Sequence, residues 1–246
     1  MESPVEDVEA SGDGKAIARR RPRFLCLHGF RASGEIMRTG VVGAWPADVI
    51  ARLDLVFADG SFPAEGKSSL EGIFPPPYFE WYQRDTDMNY RNIDKCLEYI
   101  EELMIKDGPF DGLIGFSQGA MLSAALPGLQ ATGMALTRVP KVKYVVIMSG
   151  GIFLPPEVVE KAYAPKIECP SLHIIGEKDP LREDGEILVK SFVDPFIIRH
   201  SEGHIVPRLD DKGLETMLNF LNKIEDYQSK DAIDVKLKEV SCVATA

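Results

Sequence analysis

Six short runs of apolar residues, spread along the whole chain, limit its fold more than any other feature. Residues 24–27 (FLCL) end at His28-Gly29, residues 53–58 (LDLVFA) at Asp59-Gly60, and residues 111–116 (DGLIGF) at Ser117. Residues 143–148 (KYVVIM) end at Ser149-Gly150-Gly151, residues 172–175 (LHII) at Gly176, and residues 196–200 (FIIRH) shortly before Gly203-His204. A strand with one wet face alternates apolar and polar side chains. A strand that is apolar at successive positions is covered on both faces, as in parallel sheets. Between the runs lie segments such as 92–104 (NIDKCLEYIEELM) and 214–224 (LETMLNFLNKI), with apolar residues at helical spacing. The alternation predicts an α/β fold, a doubly wound and mostly parallel sheet of about six strands flanked by helices.

No composition break divides the 246 residues, so one domain is expected over 23–228. A polar, disordered arm is expected at 1–22 and a weakly ordered tail at 229–246. The formal net charge of −10 argues against nucleic acid or an anionic membrane as the main partner. No apolar run approaches the roughly 18 residues a membrane-spanning helix needs. The first residues lack the apolar stretch of a signal peptide, and Arg19-Arg20-Arg21 reads as a solvated lead-in to the first strand. Cys26, Cys96, Cys169 and Cys242 lie far apart, without the clustering a zinc site requires. Free thiols and a cytoplasmic address, with the nucleus as a second compartment, follow from this pattern.

Gly115-Phe116-Ser117-Gln118-Gly119 matches GxSxG. Such a match arises by chance about once in ten chains of this length, so its context decides. The pattern needs a strand before it and a helix after it, because the serine must stand on a sharp turn that only small neighbours allow. Here residues 111–116 precede it and the helix-forming stretch AMLSAAL follows. A serine hydroxyl needs a base to take its proton, and the chain order in such folds is nucleophile, acid, histidine. His204 follows the last expected strand and is the candidate base; His200 is its rival, and His173 reads as core. Asp179 stands after the preceding strand, in GEKDP, as the candidate acid, with Asp184, Asp194 and Glu177 as competitors. Backbone N–H donors for a developing oxyanion would come from Gln118 and from Phe30, the latter in the HGF turn after the first strand.

Residues 60–90 break the rhythm with an aromatic, proline-rich excursion. It reads either as a pocket wall or lid, or as a loop packed down by its own aromatics. Phe74, Tyr78, Trp81 and Tyr82, with His28, are its candidate substrate contacts.

FLCLHGFRASG, PPPYFEWY, FDGLIGFSQGA, YVVIMSGG, HIIGEKDP and EGHIVP together resemble the FSH family of serine hydrolases, the ovarian-tumour candidate hydrolase-like group. The likeness covers about residues 22–225 and suggests a plant or other eukaryotic member. It implies an α/β-hydrolase fold and hydrolysis of a small-molecule acyl ester without cofactor or metal. It also implies Ser117 as nucleophile, Asp179 as acid and His204 as base. A more distant likeness is to acyl-protein thioesterases and small carboxylesterases. An acyl thioesterase, or a hydrolase-fold receptor with little turnover, stays open as an alternative.

Overall fold

A computed structural model describes residues 20–85, 89–152 and 154–243, with side-chain environments given to residue 231. The central sheet holds six strands: β1 (Arg23–Leu27), β2 (Asp54–Ala58), β7 (Gly112–Phe116), β8 (Tyr144–Met148), β9 (Ser171–Gly176) and β10 (Phe196–His200). Four two-residue strands lie inside the excursion: β3 (Phe62–Pro63), β4 (Phe79–Glu80), β5 (Gln83–Arg84) and β6 (Tyr90–Arg91). The helices are α1 (Gly34–Ala44), α2 (Ala47–Ala51), α3 (Ile93–Asp107), α4 (Gln118–Ala131), α5 (Pro156–Tyr163), α6 (Arg182–Val189) and α7 (Asp211–Val243).

All five pairings in the sheet are parallel, in the order β10-β9-β8-β7-β1-β2. Each of the six apolar runs has become one strand of it. The burial explains their continuous apolar character. Leu25, Leu27, Leu113, Val145 and Ile147 face one side, against α3, α4 and α5. Phe24, Cys26, Ile114, Val146 and Met148 face the other, against α1, α2 and α7. The inner strands are covered on both faces, so both parities along them are mostly apolar. The α4 helix lies inside this packing, buried from Gln118 to Leu129, which accounts for its lack of a polar stripe.

The chain builds outward from β1 to β2, then returns to the far side of β1 with β7 and continues outward to β10. The loops after β1 and β7 therefore diverge from neighbouring strands. In such sheets that crevice, at the carboxyl ends of the strands, is where a ligand is received. The anticipated arm falls largely on residues 1–19, which lie outside the described residues. The anticipated tail begins at 229, and α7 runs through that position to Val243.

Phe220 of α7 is fully buried and meets the ring of Phe196 edge-on, with centroids 5.5 Å apart. Phe220→Ala should lower the free energy of unfolding by about 3–5 kcal/mol in urea denaturation. A loss under about 1 kcal/mol would mean that α7 is not packed on the sheet as described.

Candidate active site

The sharpest local constraint is at Ser117. It takes φ +52° and ψ −114°, between the end of β7 and the first residue of α4. A residue with a Cβ seldom adopts such angles, and holding them costs of order 1–3 kcal/mol. The surroundings permit it because they are glycine where space is shortest. A Cβ on Gly115 would run into the carbonyl of Gly119, and one on Gly119 into the carbonyl of Leu27. The backbone is held on both sides, by the Ser117 N–H donating to the Met148 carbonyl at 3.0 Å and the Gly119 N–H to the His28 carbonyl at 3.1 Å.

The hydroxyl so presented is 2.9 Å from Nε2 of His204. Nδ1 of the same ring lies 2.9 and 3.0 Å from the two carboxylate oxygens of Asp179. This network assigns the tautomer: Nδ1–H donates to Asp179, leaving Nε2 free to accept from Ser117. The Phe116 ring, 5.0 Å from the imidazole centroid to centroid, backs it. Asp179 and His204, 25 positions apart in the chain, meet because β9 and β10 end side by side. Their loops are joined by the Glu177 N–H to the His200 carbonyl and the Lys178 N–H to the Glu202 carbonyl.

The Asp179 side chain is 1% exposed, against 32% for His204. Burial pushes its carboxyl up. The nearby Ser149 hydroxyl, the Leu181 N–H at 2.8 Å and His204 outweigh that and hold it below the usual carboxylate range. Asp179 is therefore an anion at neutral pH, able to orient the ring and to stabilise an imidazolium. Ser149 itself stands at φ +52°, at the end of β8. The sequence marked it only as the stop of a strand, since an unusual φ at a non-glycine residue leaves no trace in composition.

The rivals lie elsewhere. Among the described residues, Asp184, Asp194 and Glu177 make no hydrogen bond to His204. Asp184 is in the first turn of α6. His200 ends β10 with both ring nitrogens buried and unpartnered among the described residues. His173 is buried edge-on against Phe192.

The backbone N–H groups of Phe30 and Gln118 donate to no group among the described residues. A Cβ on Gly29 would stand 3.4 Å from the Cβ of Ser117, so the turn carrying Phe30 passes directly beside the serine. The Phe30 ring itself is 43% exposed.

The five candidate substrate contacts separate into two groups. Phe74 and Tyr78 line an open groove of about 630 Å³ with Glu71, Ile73 and Pro75, and Ser117 is not among its lining residues. His28 and Trp81 have no accessible surface, and their polar atoms are engaged within the protein. Nδ1 of His28 donates to the Gly29 carbonyl and Nε2 accepts the Gly60 N–H. The Trp81 indole N–H donates to the His28 carbonyl at 2.9 Å. These two side chains join the loops after β1 and β2 to the excursion. Tyr82 is also buried, its hydroxyl 3.6 Å from the Met121 sulfur. Among the described residues, no His, Cys, Asp and Glu group is arranged to hold a metal ion.

The serine hydrolase (FSH1) family pattern matches residues 18–214. The chain belongs to this family. Within it, mouse Esterase OVCA2 is 30% identical over 77% of this chain and 91% of its own length. Fruit-fly Esterase CG5412 is 28% identical over 89% of this chain and 84% of its own. Among solved structures, maize acyl-protein thioesterase 2 superposes with a TM-score of 0.55 at 19% identity, covering 83% of this chain and 94% of that one. At that identity the likeness establishes the α/β-hydrolase fold alone. Membership in the FSH1 family makes the chain a serine hydrolase acting on a small-molecule substrate, and in the geometry above Ser117 is the serine with an imidazole in hydrogen-bond reach.

Burial drives the imidazole of His28 down to about 4 from its ordinary 6.5, so the fold favours the neutral ring. Between those values the unfolded chain binds more protons than the folded one. Stability therefore rises with pH across this window and is lost as pH falls from 6.5 towards 4, by roughly 3 kcal/mol from this residue. His28→Gln should flatten the stability–pH curve between pH 6.5 and 4 in denaturant titrations. An unchanged slope would show that His28 is not buried neutral.

Proposed function

We propose that this chain is a carboxylic-ester hydrolase working through an acyl-enzyme on Ser117, with His204 as base and Asp179 as the acid that orients it. The observation that carries the reading is the unbroken hydrogen-bonded series from Asp179 through His204 to Ser117, each step 2.9 Å. Its nucleophile stands on a strained turn that exposes it above the sheet. The esterase names borne by the mouse and fly relatives agree with an ester as substrate.

In the first half-reaction Nε2 of His204 takes the Ser117 proton as Oγ bonds to the ester carbonyl carbon. The carbonyl π pair moves onto oxygen, where the amides of Phe30 and Gln118 receive the charge. The imidazolium, stabilised by Asp179, then gives its proton to the departing alkoxide, and the acyl group stays on Ser117. Water repeats the sequence: His204 accepts its proton, hydroxide adds to the acyl carbon, and Ser117 leaves with the proton returned from the ring. A water-excluded setting for the carboxylate strengthens its hold on the imidazolium, and Asp179 meets that condition.

An exposed Phe30 and a partly exposed His204 side chain support small-molecule acyl esters that approach from solvent as the substrates. Free thiols at Cys26 and Cys96 fit a reducing compartment, and we assign the protein to the cytoplasm.

Ser117→Ala should lower turnover of an activated ester such as a p-nitrophenyl acylate at least about 10³-fold, with the fold retained by circular dichroism. A variant keeping most of its activity would remove Ser117 from the reaction. Asp179→Asn should cost about as much, since a neutral amide stabilises the imidazolium poorly and permits the unproductive tautomer. A loss under tenfold, measured in the same assay, would reassign the acid.

A further inference from the structure

Both candidate oxyanion donors are tied to the same four residues of the excursion. On one side, the Phe79 N–H donates to the Ala32 carbonyl at 2.6 Å. The Arg31 guanidinium donates through Nε to the Glu80 carboxylate at 2.7 Å. On the other, the Gln118 side chain behaves like a strand's peptide group: its oxygen accepts the Trp81 N–H at 3.0 Å and its NH₂ donates to the Tyr82 carbonyl at 2.8 Å. Residues 79 and 80 thus hold the loop that carries the Phe30 amide, and residues 81 and 82 hold the residue that carries the other amide.

The Glu80 carboxylate is what an ordinary packing role explains least. It is 1% exposed, while its partner Arg31 is 26% exposed. Burying a charge is costly, and a buried ion pair rarely adds net stability over an apolar pair of the same volume. What it does supply is geometry. Arg31 sits at φ +52° directly after Phe30, a conformation that must be held from outside. Its side chain is fixed by Glu80 and by the Lys67 carbonyl, and its own carbonyl accepts the Ser68 hydroxyl at 2.7 Å. The same carboxylate oxygen also accepts the Glu65 N–H, so one buried anion gathers three segments of chain beside the Phe30 turn.

We propose that residues 79–82 form a template that sets the spacing of the two oxyanion donors, with Glu80 as a positioning residue for the Phe30 amide. This rests on the reading of Ser117, Phe30 and Gln118 given above. The excursion is then a fixed wall of the site rather than a lid: swinging it away would release both donors together.

Glu80→Gln keeps the shape and removes the charge; Arg31→Ala removes the partner from the more exposed side. Each should lower kcat about 10- to 100-fold with KM within about threefold, since a donor displaced by an ångström fails the transition state more than the ground state. The double variant should lose no more than the worse single one, because both changes break one unit. A second readout separates positioning from stability. A trifluoromethyl ketone labelled with ¹³C at its carbonyl adds reversibly to Ser117, forming the Oγ–carbon bond as the π pair becomes an oxyanion and the proton passes to His204. By NMR, the pH at which that oxygen is protonated should rise by about one unit or more in Glu80→Gln, a tenfold weaker hold on the anion. Values of kcat and of that pH both within twofold and 0.3 unit, roughly, of the parent protein would overturn the proposal. If Glu80→Gln fails to fold, Arg31→Ala decides by the same two criteria. Ser117→Ala run in parallel keeps the claims apart. Turnover surviving in it defeats the reading of the site, whereas its loss beside an unaffected Glu80 variant defeats the template alone.

Discussion

The turn at Ser117 is the constraint around which the rest of the molecule is arranged. Its backbone is held in a sparsely populated conformation, and a local cost of that kind persists only where the surroundings over-determine it. They do so from the two strands that flank β7 in the sheet. The Met148 carbonyl at the end of β8 holds the serine's N–H, and the His28 carbonyl after β1 holds that of Gly119. The first turn of the central helix closes against Leu27, where Gly119 leaves no room for a side chain. A sheet of buried parallel strands provides the stiff frame, and a helix buried on all sides fixes the direction in which the chain must leave.

The electrostatics follow from the same topology. The loops after successive strands β9 and β10 bring first a carboxylate and then a histidine within hydrogen-bond reach of the series that ends on the serine after β7. The carboxylate is buried and hydrogen-bonded, which keeps it ionised; the histidine side chain is partly open to solvent. The neutral, buried His28 serves a different purpose. It is a hydrogen-bonding bridge, accepting from Gly60 and donating to Gly29, and its burial keeps a positive charge out of the loop after β1. Two histidines in one small region thus differ in function because they differ in access to water.

Much of this was legible in the sequence. All six central strands could be located because two covered faces impose apolar residues at successive positions, a pattern few other structures demand. Ser117, Asp179 and His204 could be named as candidates because each follows its own strand in an order few folds share, and the three side chains lie together in the structure. The helix at Gly34–Ala44 was not legible: it contains Gly34, Gly40 and Gly43, and its starting signal is a single cap, the Ser33 hydroxyl accepting from Ile36. The sequence does not separate His28, Trp81 and Tyr82, which are buried, from substrate contacts, because an aromatic ring that lines a pocket and one that fills a core have the same composition. Only the chain's path distinguishes them. The Arg31–Glu80 pair joins residues 49 apart, beyond any periodicity. Its one trace was a carboxylate set among aromatics and prolines in PPPYFEWY, where water is scarce and a charge needs a reason.

The central claim, that Ser117 is the nucleophile activated by this arrangement, is tested most directly by covalent trapping. The intact protein would be reacted with a fluorophosphonate, digested, and its peptides sequenced by tandem mass spectrometry. The account predicts one adduct per chain, carried by Ser117, and no adduct once His204 has been replaced by alanine over the same reaction time. Labelling of Ser123 or Ser149 instead, or labelling of Ser117 at an unchanged rate without His204, would contradict it.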